Sequence, residues 1–200
     1  MPTPLDFYFD FSSPYGYLAS TRIDALAAKY GREVIWRPIL LGVIFKQTGA
    51  APLTQVPLKG EYSRRDFART ARLFGVPFAM PAKFPIPAQA PSRAVLWART
   101  QDPARSRALA TALYRAYFVD GVEISVPENT AAVAAKLGHD PVAVRAALDD
   151  PAVKQALVTE NEAAMRRGVF GSPFVFVDDE PFWGSDRLDQ IEKWLATGGF

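Results

Sequence analysis

The segment Asp10-Phe11-Ser12-Ser13-Pro14-Tyr15-Gly16-Tyr17-Leu18 follows a short aromatic run and opens a helix. The run before it, Leu5 to Phe9, reads as a buried first strand. Ser13-Pro14 is a strong helix start. Serine is a preferred N-cap, and proline suits the first helical turn because its missing N–H had no partner there. Leu18, Ile23, Leu26 and Ala27 recur at helical spacing as far as Lys29-Tyr30-Gly31, where glycine supplies the stop. Glu33 to Pro38 reads as a second strand that ends at the proline. Strand, helix and strand within about forty residues form a βαβ unit, so the two strands are expected to run parallel.

Beyond Leu40 the pattern changes. Tyr62 to Phe74, Pro91 to Arg99, Ala104 to Val119, Glu128 to Leu137, Pro141 to Leu148 and Pro151 to Arg167 all carry helical periodicity. Asp140-Pro141 and Asp150-Pro151 are starts of the cap-plus-proline kind. Strand character returns at Phe174-Val175-Phe176-Val177. Asp178-Asp179-Glu180 makes a turn into a short partner, Pro181-Phe182-Trp183. Gly184-Ser185-Asp186 then leads into a last helix from Arg187 to Leu195. The order βαβ, helical block, ββα is that of an α/β, thioredoxin-like core split by a large all-helical insertion. Residues 1–40 and 168–200 are expected to form the core and 41–167 the insertion, as one structural unit.

Composition narrows the functions. At 200 residues, with 49% hydrophobic and 22% charged, the chain can bury a full core. A net charge of +2 is too small to argue for nucleic acid. The pairs Arg64-Arg65 and Arg166-Arg167 fall in helical patterns and read as solvated faces. Met1 to Asp6 shows neither a basic leader nor a cleavage site, and no apolar run is long enough to span a bilayer, so a cytoplasmic protein is expected. No cysteine occurs, which excludes disulfides, a thiolate nucleophile of the chain's own and Cys-based metal sites. With one histidine, His139, a His-based metal site and an ordinary Ser-His pair are excluded too. His139 lies between two helical patterns and reads as a surface or capping residue. Trp36, Trp97 and Trp194 read as core. Trp183 and the loop Phe84-Pro85-Ile86-Pro87 are each open to two readings, pocket wall or ordinary surface.

Ser13 alone can be a cap and nothing more. Ser172-Pro173, directly before a strand, adds a second element. A cis bond there would aim the Ser172 backbone at the open edge beside Ser13, where an extended peptide can pair as an added strand. A helix N-terminus offers unpaired N–H groups to an anion. A free thiol, with a pKa near 8.5, is only about 3% ionised at pH 7. Lowering that pKa by about two units needs about 2.7 kcal/mol, within reach of a charge-assisted hydrogen bond plus the helix end. The two segments together read as the seat of a thiolate that the chain does not itself carry.

Phe7-Tyr8-Phe9-Asp10-Phe11-Ser12-Ser13-Pro14-Tyr15-Gly16-Tyr17-Leu18-Ala19 resembles the N-terminal motif of the 2-hydroxychromene-2-carboxylate isomerases and kappa-class glutathione transferases. Leu58-Lys59-Gly60-Glu61-Tyr62, with Arg65-Asp66 and Arg69, is similar to the family's glutathione-side segment. Gly168-Val169-Phe170-Gly171-Ser172-Pro173 and Phe182-Trp183-Gly184-Ser185-Asp186-Arg187-Leu188 resemble its C-terminal signature. The motifs run in order over essentially the whole chain. The resemblance implies a DsbA-like fold, a homodimer and bound glutathione with its sulfur at Ser13. It also implies Lys59 on a glutathione carboxylate, Ser172 beside Pro173 on the cysteinyl backbone, and Ser185 with Asp186 at the γ-glutamyl end. Lys59 also reads as a solvated loop lysine, and Asp186 as a cap of the last helix. Ser172 stands where an apolar residue is more usual, and residues 49–57 lack an asparagine that would add a glutathione contact.

The implied reaction is isomerisation of an aromatic pyruvate and its cyclic hemiketal by reversible thiolate addition. Arg93 and Lys83 are the candidates for the substrate carboxylate. A kappa-like transferase that forms stable conjugates is the alternative. A thioredoxin-fold binding module without activity is a third reading.

Overall fold

A computed structural model describes residues 3–200; Met1 and Pro2, where the reading of the leader begins, lie outside the described residues. Strand β1 (Leu5–Phe9) is followed by helices α1 (Pro14–Ser20) and α2 (Ile23–Ala28) and by β2 (Val34–Pro38). Then come α3 (Leu41–Thr48), α4 (Lys59–Phe74), α5 (Gln89–Gln101), α6 (Pro103–Phe118), α7 (Pro127–Ala135), α8 (Pro141–Asp149) and α9 (Pro151–Arg166). The hairpin β3 (Phe174–Val177) and β4 (Glu180–Trp183) leads to α10 (Leu188–Thr197). The sheet order is β2-β1-β3-β4. β1 and β2 are parallel, as expected, with Leu5 opposite Val34. β3 joins β1 antiparallel, Phe7 opposite Val175, and β4 closes the hairpin.

The sheet is buried on both faces, which is why β1 and β3 are nearly continuous apolar runs. Phe7 and Phe9 pack with Trp36, Val175 and Val177 on one face. Tyr114 of α6 extends this cluster, 5.6 Å from Phe9 and 4.9 Å from Phe11 between ring centroids. Tyr8, Phe174 and Phe176 point the other way, onto Ile39, Ile44 and Ala164. Each fully buried aromatic side chain contributes about 1.5–3 kcal/mol. Asp6 breaks the apolar run because Arg37 and Arg167 neutralise it. Arg37 also reaches Glu160 at 3.0 Å, and Arg99 reaches the same carboxylate at 2.8 Å, tying the sheet to α5 and α9.

Three details differ from the sequence reading. The helix expected from Pro14 to Lys29 is two helices, α1 and α2. Ser20 and Thr21 donate their hydroxyls to the carbonyls of Tyr17 and Leu18, competing with the helical ladder where it breaks. Helix α3 was not anticipated. His139 is buried at 5% exposure, 5.7 Å from the Trp97 ring, rather than at the surface. Burial, with Arg105 nearby, lowers its pKa.

Candidate active site

Ser13 caps α1 and does more. Its Oγ accepts the Gly16 N–H at 3.0 Å and donates to the Ser172 carbonyl at 2.8 Å. The cap alternative and the two-segment reading therefore describe one geometry: the hydroxyl joins the helix start to the residue before Pro173. The Ser172-Pro173 bond is cis. Pro14 has no N–H, and those of Gly16 and Tyr17 bond to Ser13. The N–H groups of Tyr15 and Ser172 are left without partners among the described residues. α1 has only seven residues. Its individual amide donors, rather than a long macrodipole, thus supply the positive end.

Asp10 underlies this turn. Its backbone N–H donates to Ser172 Oγ at 3.0 Å, and its carbonyl accepts the Tyr114 hydroxyl at 2.9 Å. Its carboxylate accepts the N–H groups of Ser12 and Leu41, each at 2.6 Å. Burial pushes the carboxyl up from 3.8 to about 6, against the lowering effect of those two donors. The folded state therefore binds this proton more tightly than the unfolded chain. The resulting stabilisation is complete below about pH 4 and lost as pH rises through about 6. Asp10→Asn is expected to abolish that slope, read as the pH dependence of the denaturation midpoint over this window. A slope unchanged in the variant would contradict it.

Ser13, Lys59, Ser172, Pro173, Ser185 and Asp186 all line one cleft of about 1560 Å³. That exceeds the roughly 300–1,000 Å³ of a single small-molecule site, leaving room for a tripeptide and a second molecule. Lys59 is the first residue of α4, the wrong charge for a helix N-terminus, and has no ion pair among the described residues. Leu58 before it holds φ at 66°. Asp186 makes no cap bond to α10, so the capping alternative falls away; its carboxylate contacts the Arg187 guanidinium at 2.9 Å. Ser185 is buried beside it. Trp183 lines the cleft and stacks edge-on to Phe170 at 4.8 Å. Gly171 lies under it: a Cβ there would come within 2.2 Å of the indole nitrogen. The proline-rich loop is also a cleft wall, with Phe84, Pro85, Ile86 and Pro87 facing in.

Neither cation proposed for a substrate carboxylate lies in the cleft. Lys83 pairs with Glu123, and Arg93 donates to the Leu148 carbonyl at 3.2 Å. The cleft cations are Arg22, Lys46, Lys59 and Arg187. Arg22 lies over the Phe74 ring at 4.4 Å and 3.7 Å from Asp189. Lys46, like Lys59, has no ion pair among the described residues. Sequence reasoning missed Lys46 because it missed α3. Tyr15 and Asp66 belong to two of the sequence motifs, which gave them no role: the Tyr15 hydroxyl donates to Asp66 at 2.6 Å, and both line the cleft. Burial and that bond raise the Tyr15 pKa. For Asp66, burial is outweighed by donation from Tyr15 and Arg69, and its pKa is lowered.

The chain matches a family model described as a DSBA-like thioredoxin domain over residues 4–196. It is 34% identical to a 2-hydroxychromene-2-carboxylate isomerase of Sphingobium xenophagum, covering 98% of this chain and 99% of that protein. It is 24% identical to glutathione S-transferase kappa 2 of Caenorhabditis elegans, covering 95% and 90%. A solved structure of a 2-hydroxychromene-2-carboxylate isomerase superposes with a TM-score of 0.87 at 30% identity, covering 96% of this chain and 94% of that one. With the sheet order, the inserted helices and Ser13 facing Ser172-Pro173, these likenesses settle the family: the chain belongs to the DSBA-like thioredoxin-domain proteins, in the group of the 2-hydroxychromene-2-carboxylate isomerases and kappa-class glutathione transferases.

Proposed function

We propose that the chain is a glutathione-dependent isomerase that interconverts 2-hydroxychromene-2-carboxylate and trans-o-hydroxybenzylidenepyruvate. The observation that carries this is the buried Ser13 hydroxyl lining a cleft of about 1560 Å³, flanked by the N–H groups of Tyr15 and Ser172 that have no partner among the described residues. Full-length likeness to isomerases supports the reaction class. Glutathione fits the donor set: a cation at Lys59 for a carboxylate, a carboxylate at Asp186 with the Ser185 hydroxyl for the γ-glutamyl end, and the Ser172 N–H for a peptide carbonyl.

When bound, glutathione supplies a thiolate that adds reversibly to the conjugated carbon, so that the former double bond can rotate. Ser13 turns its hydroxyl proton from the neutral Ser172 carbonyl toward the anion, the stronger acceptor. The Gly16 N–H remains on the same oxygen and polarises the hydroxyl as a donor. The Tyr15 N–H adds a second donor. Lys46, across the cleft on α3, suits the substrate carboxylate. Lys46→Gln is expected to raise the substrate KM about tenfold while leaving the glutathione KM unchanged. An equal rise in both would remove Lys46 from this role.

The deciding experiment incubates enzyme, glutathione and the chromene carboxylate and follows both. The isomerase reading requires the two substrate forms to reach equilibrium with glutathione undiminished. Stoichiometric loss of glutathione would make the protein a transferase instead. If glutathione fails to raise the melting temperature, a binding module replaces both. A homodimer is part of this proposal; the exposed Leu58 at the entry to α4 lies outside the cleft, while the exposed Tyr62 and Leu73 line it. A cytoplasmic setting, where thiols stay reduced, is part of the proposal too. Among the described residues, no helix is long and apolar enough to cross a membrane.

A further inference from the structure

Two side chains on either side of Phe11 tie the active-site turn to both walls of the cleft. Ser12 Oγ accepts the Ile86 N–H and donates to the Ile86 carbonyl, each at 2.8 Å. One hydroxyl thus clamps the middle of the proline-rich loop. The other end of that loop is held by the Tyr117 hydroxyl, which donates to the Lys83 carbonyl at 2.8 Å. Asp10 takes the Ser12 N–H on one carboxylate oxygen and the Leu41 N–H on the other. Leu41 is the first residue of α3, which carries Phe45 and Lys46 into the cleft.

Satisfying the α3 N-terminus accounts for one of these bonds but not for the choice of a buried carboxylate. Asp10 is a buried carboxylate with no ion pair among the described residues, a costly choice for joining two backbone amides. Only an ionised carboxylate accepts both donors at full strength, since a carboxylic acid or an amide presents hydrogen on one side. The titratable groups facing Asp10 are the hydroxyls of Tyr114 and Tyr117 from α6, whose own pKa values its charge helps to raise, after burial. Of the glutathione-side groups, Lys59, Ser185 and Asp186 touch neither side chain of this hub, and Ser13 and Ser172 bond to the Asp10 backbone rather than to its carboxylate. The hub instead bonds to the loop wall at Ile86 and to the α3 wall at Leu41.

We propose that Ser12 and Asp10 are positioning residues for the second, aromatic substrate. Together they hold the loop at Ile86 and the start of α3 at a fixed width over Ser13. This rests on the isomerase reading. It predicts that the hub governs the aromatic ligand and not glutathione.

The test is steady-state kinetics of Ser12→Ala and Ser12→Thr with each substrate varied in turn. Ser12→Ala is expected to raise the KM for the chromene carboxylate about three- to tenfold, the effect of one lost hydrogen-bonded clamp. The glutathione KM stays within error, and Ser12→Thr, which keeps the hydroxyl, restores most of the loss. An unchanged substrate KM, or a matched rise for both ligands, overturns the proposal. A wild-type protein that does not turn over the chromene carboxylate overturns the functional reading. The clamp is then decided by amide hydrogen exchange and by calorimetry with trans-cinnamate as the aromatic probe. Faster exchange at Ile86 in Ser12→Ala, with α1 amides unchanged and weaker cinnamate binding, supports it. Equal exchange or equal cinnamate affinity in wild type and variant overturns it.

Discussion

Ser13→Ala is expected to raise the pKa of the bound glutathione thiol by about one to two units, the worth of a hydrogen bond to a charged acceptor. Turnover at neutral pH falls about three- to twenty-five-fold with it, since a thiol held near pKa 6.5 is about 75% thiolate at pH 7 and one raised to about 7.5 or 8.5 is only about 25% or 3%. The variant also loses the cap bond from Gly16 N–H and the tie to the Ser172 carbonyl. That lowers stability by about 1–2 kcal/mol without unfolding the core. Both effects follow from one atom, so activity alone does not separate them. The ultraviolet absorbance of the bound thiolate, titrated against pH, does. Ser13→Thr keeps a capping hydroxyl and should retain most of the shift. A thiolate titration in Ser13→Ala identical to wild type would remove Ser13 from the chemistry.

Gly16→Ala is expected to be strongly destabilising although it only replaces a hydrogen with a methyl group. In an exposed helix the change would stabilise by about 1 kcal/mol. Here the new Cβ would lie 2.6 Å from the Tyr114 hydroxyl oxygen, 2.9 Å from Ser172 Oγ and 3.1 Å from Ser13 Cβ. Tyr114 and Ser172 both bond to the Asp10 backbone, so moving either breaks a buried hydrogen bond. Overpacking costs about 1–3 kcal/mol and each broken bond about 1 more, which outweighs the helix gain. The net loss is about 2–4 kcal/mol, with activity falling because Ser13 and Ser172 separate. Denaturant unfolding measures the first and turnover the second. Gly42→Ala in α3 is the control: a Cβ there meets nothing within 4 Å, and stability should hold or rise. Equal stability of the Gly16 and Gly42 variants would refute the packing argument.

Much of the architecture was legible because its signals are local. The starts at Ser13-Pro14, Asp140-Pro141 and Asp150-Pro151 each place a side-chain acceptor and a proline together. All three serve as caps, with Asp140 accepting Val142 N–H at 2.9 Å and Asp150 accepting Ala152 N–H at 2.7 Å. The aromatic runs of β1 and β3 announced a sheet covered on both sides. Helix α3 lacked any such signal. Its N-terminus is satisfied from elsewhere, with Asp10 taking the Leu41 N–H and Asn161 of α9 taking the Leu40 N–H at 2.8 Å. No window around Leu41 contains either acceptor.

The same division runs through the site. Sequence alone determined that no cysteine or second histidine was present, that a serine capped the first helix, and that a proline stood before the third strand. Residue type and spacing suffice for those statements. Tertiary structure decided which cations face the cleft, because a long side chain goes to its nearest partner: Lys83 to Glu123 and Arg93 to Leu148, leaving Lys46 in the cleft. It also decided that Asp10, an unremarked link in a motif, is the point where β1, α1, α3, α6 and the Ser172 loop meet. Such convergence depends on contacts up to 162 residues apart, which only packing brings together.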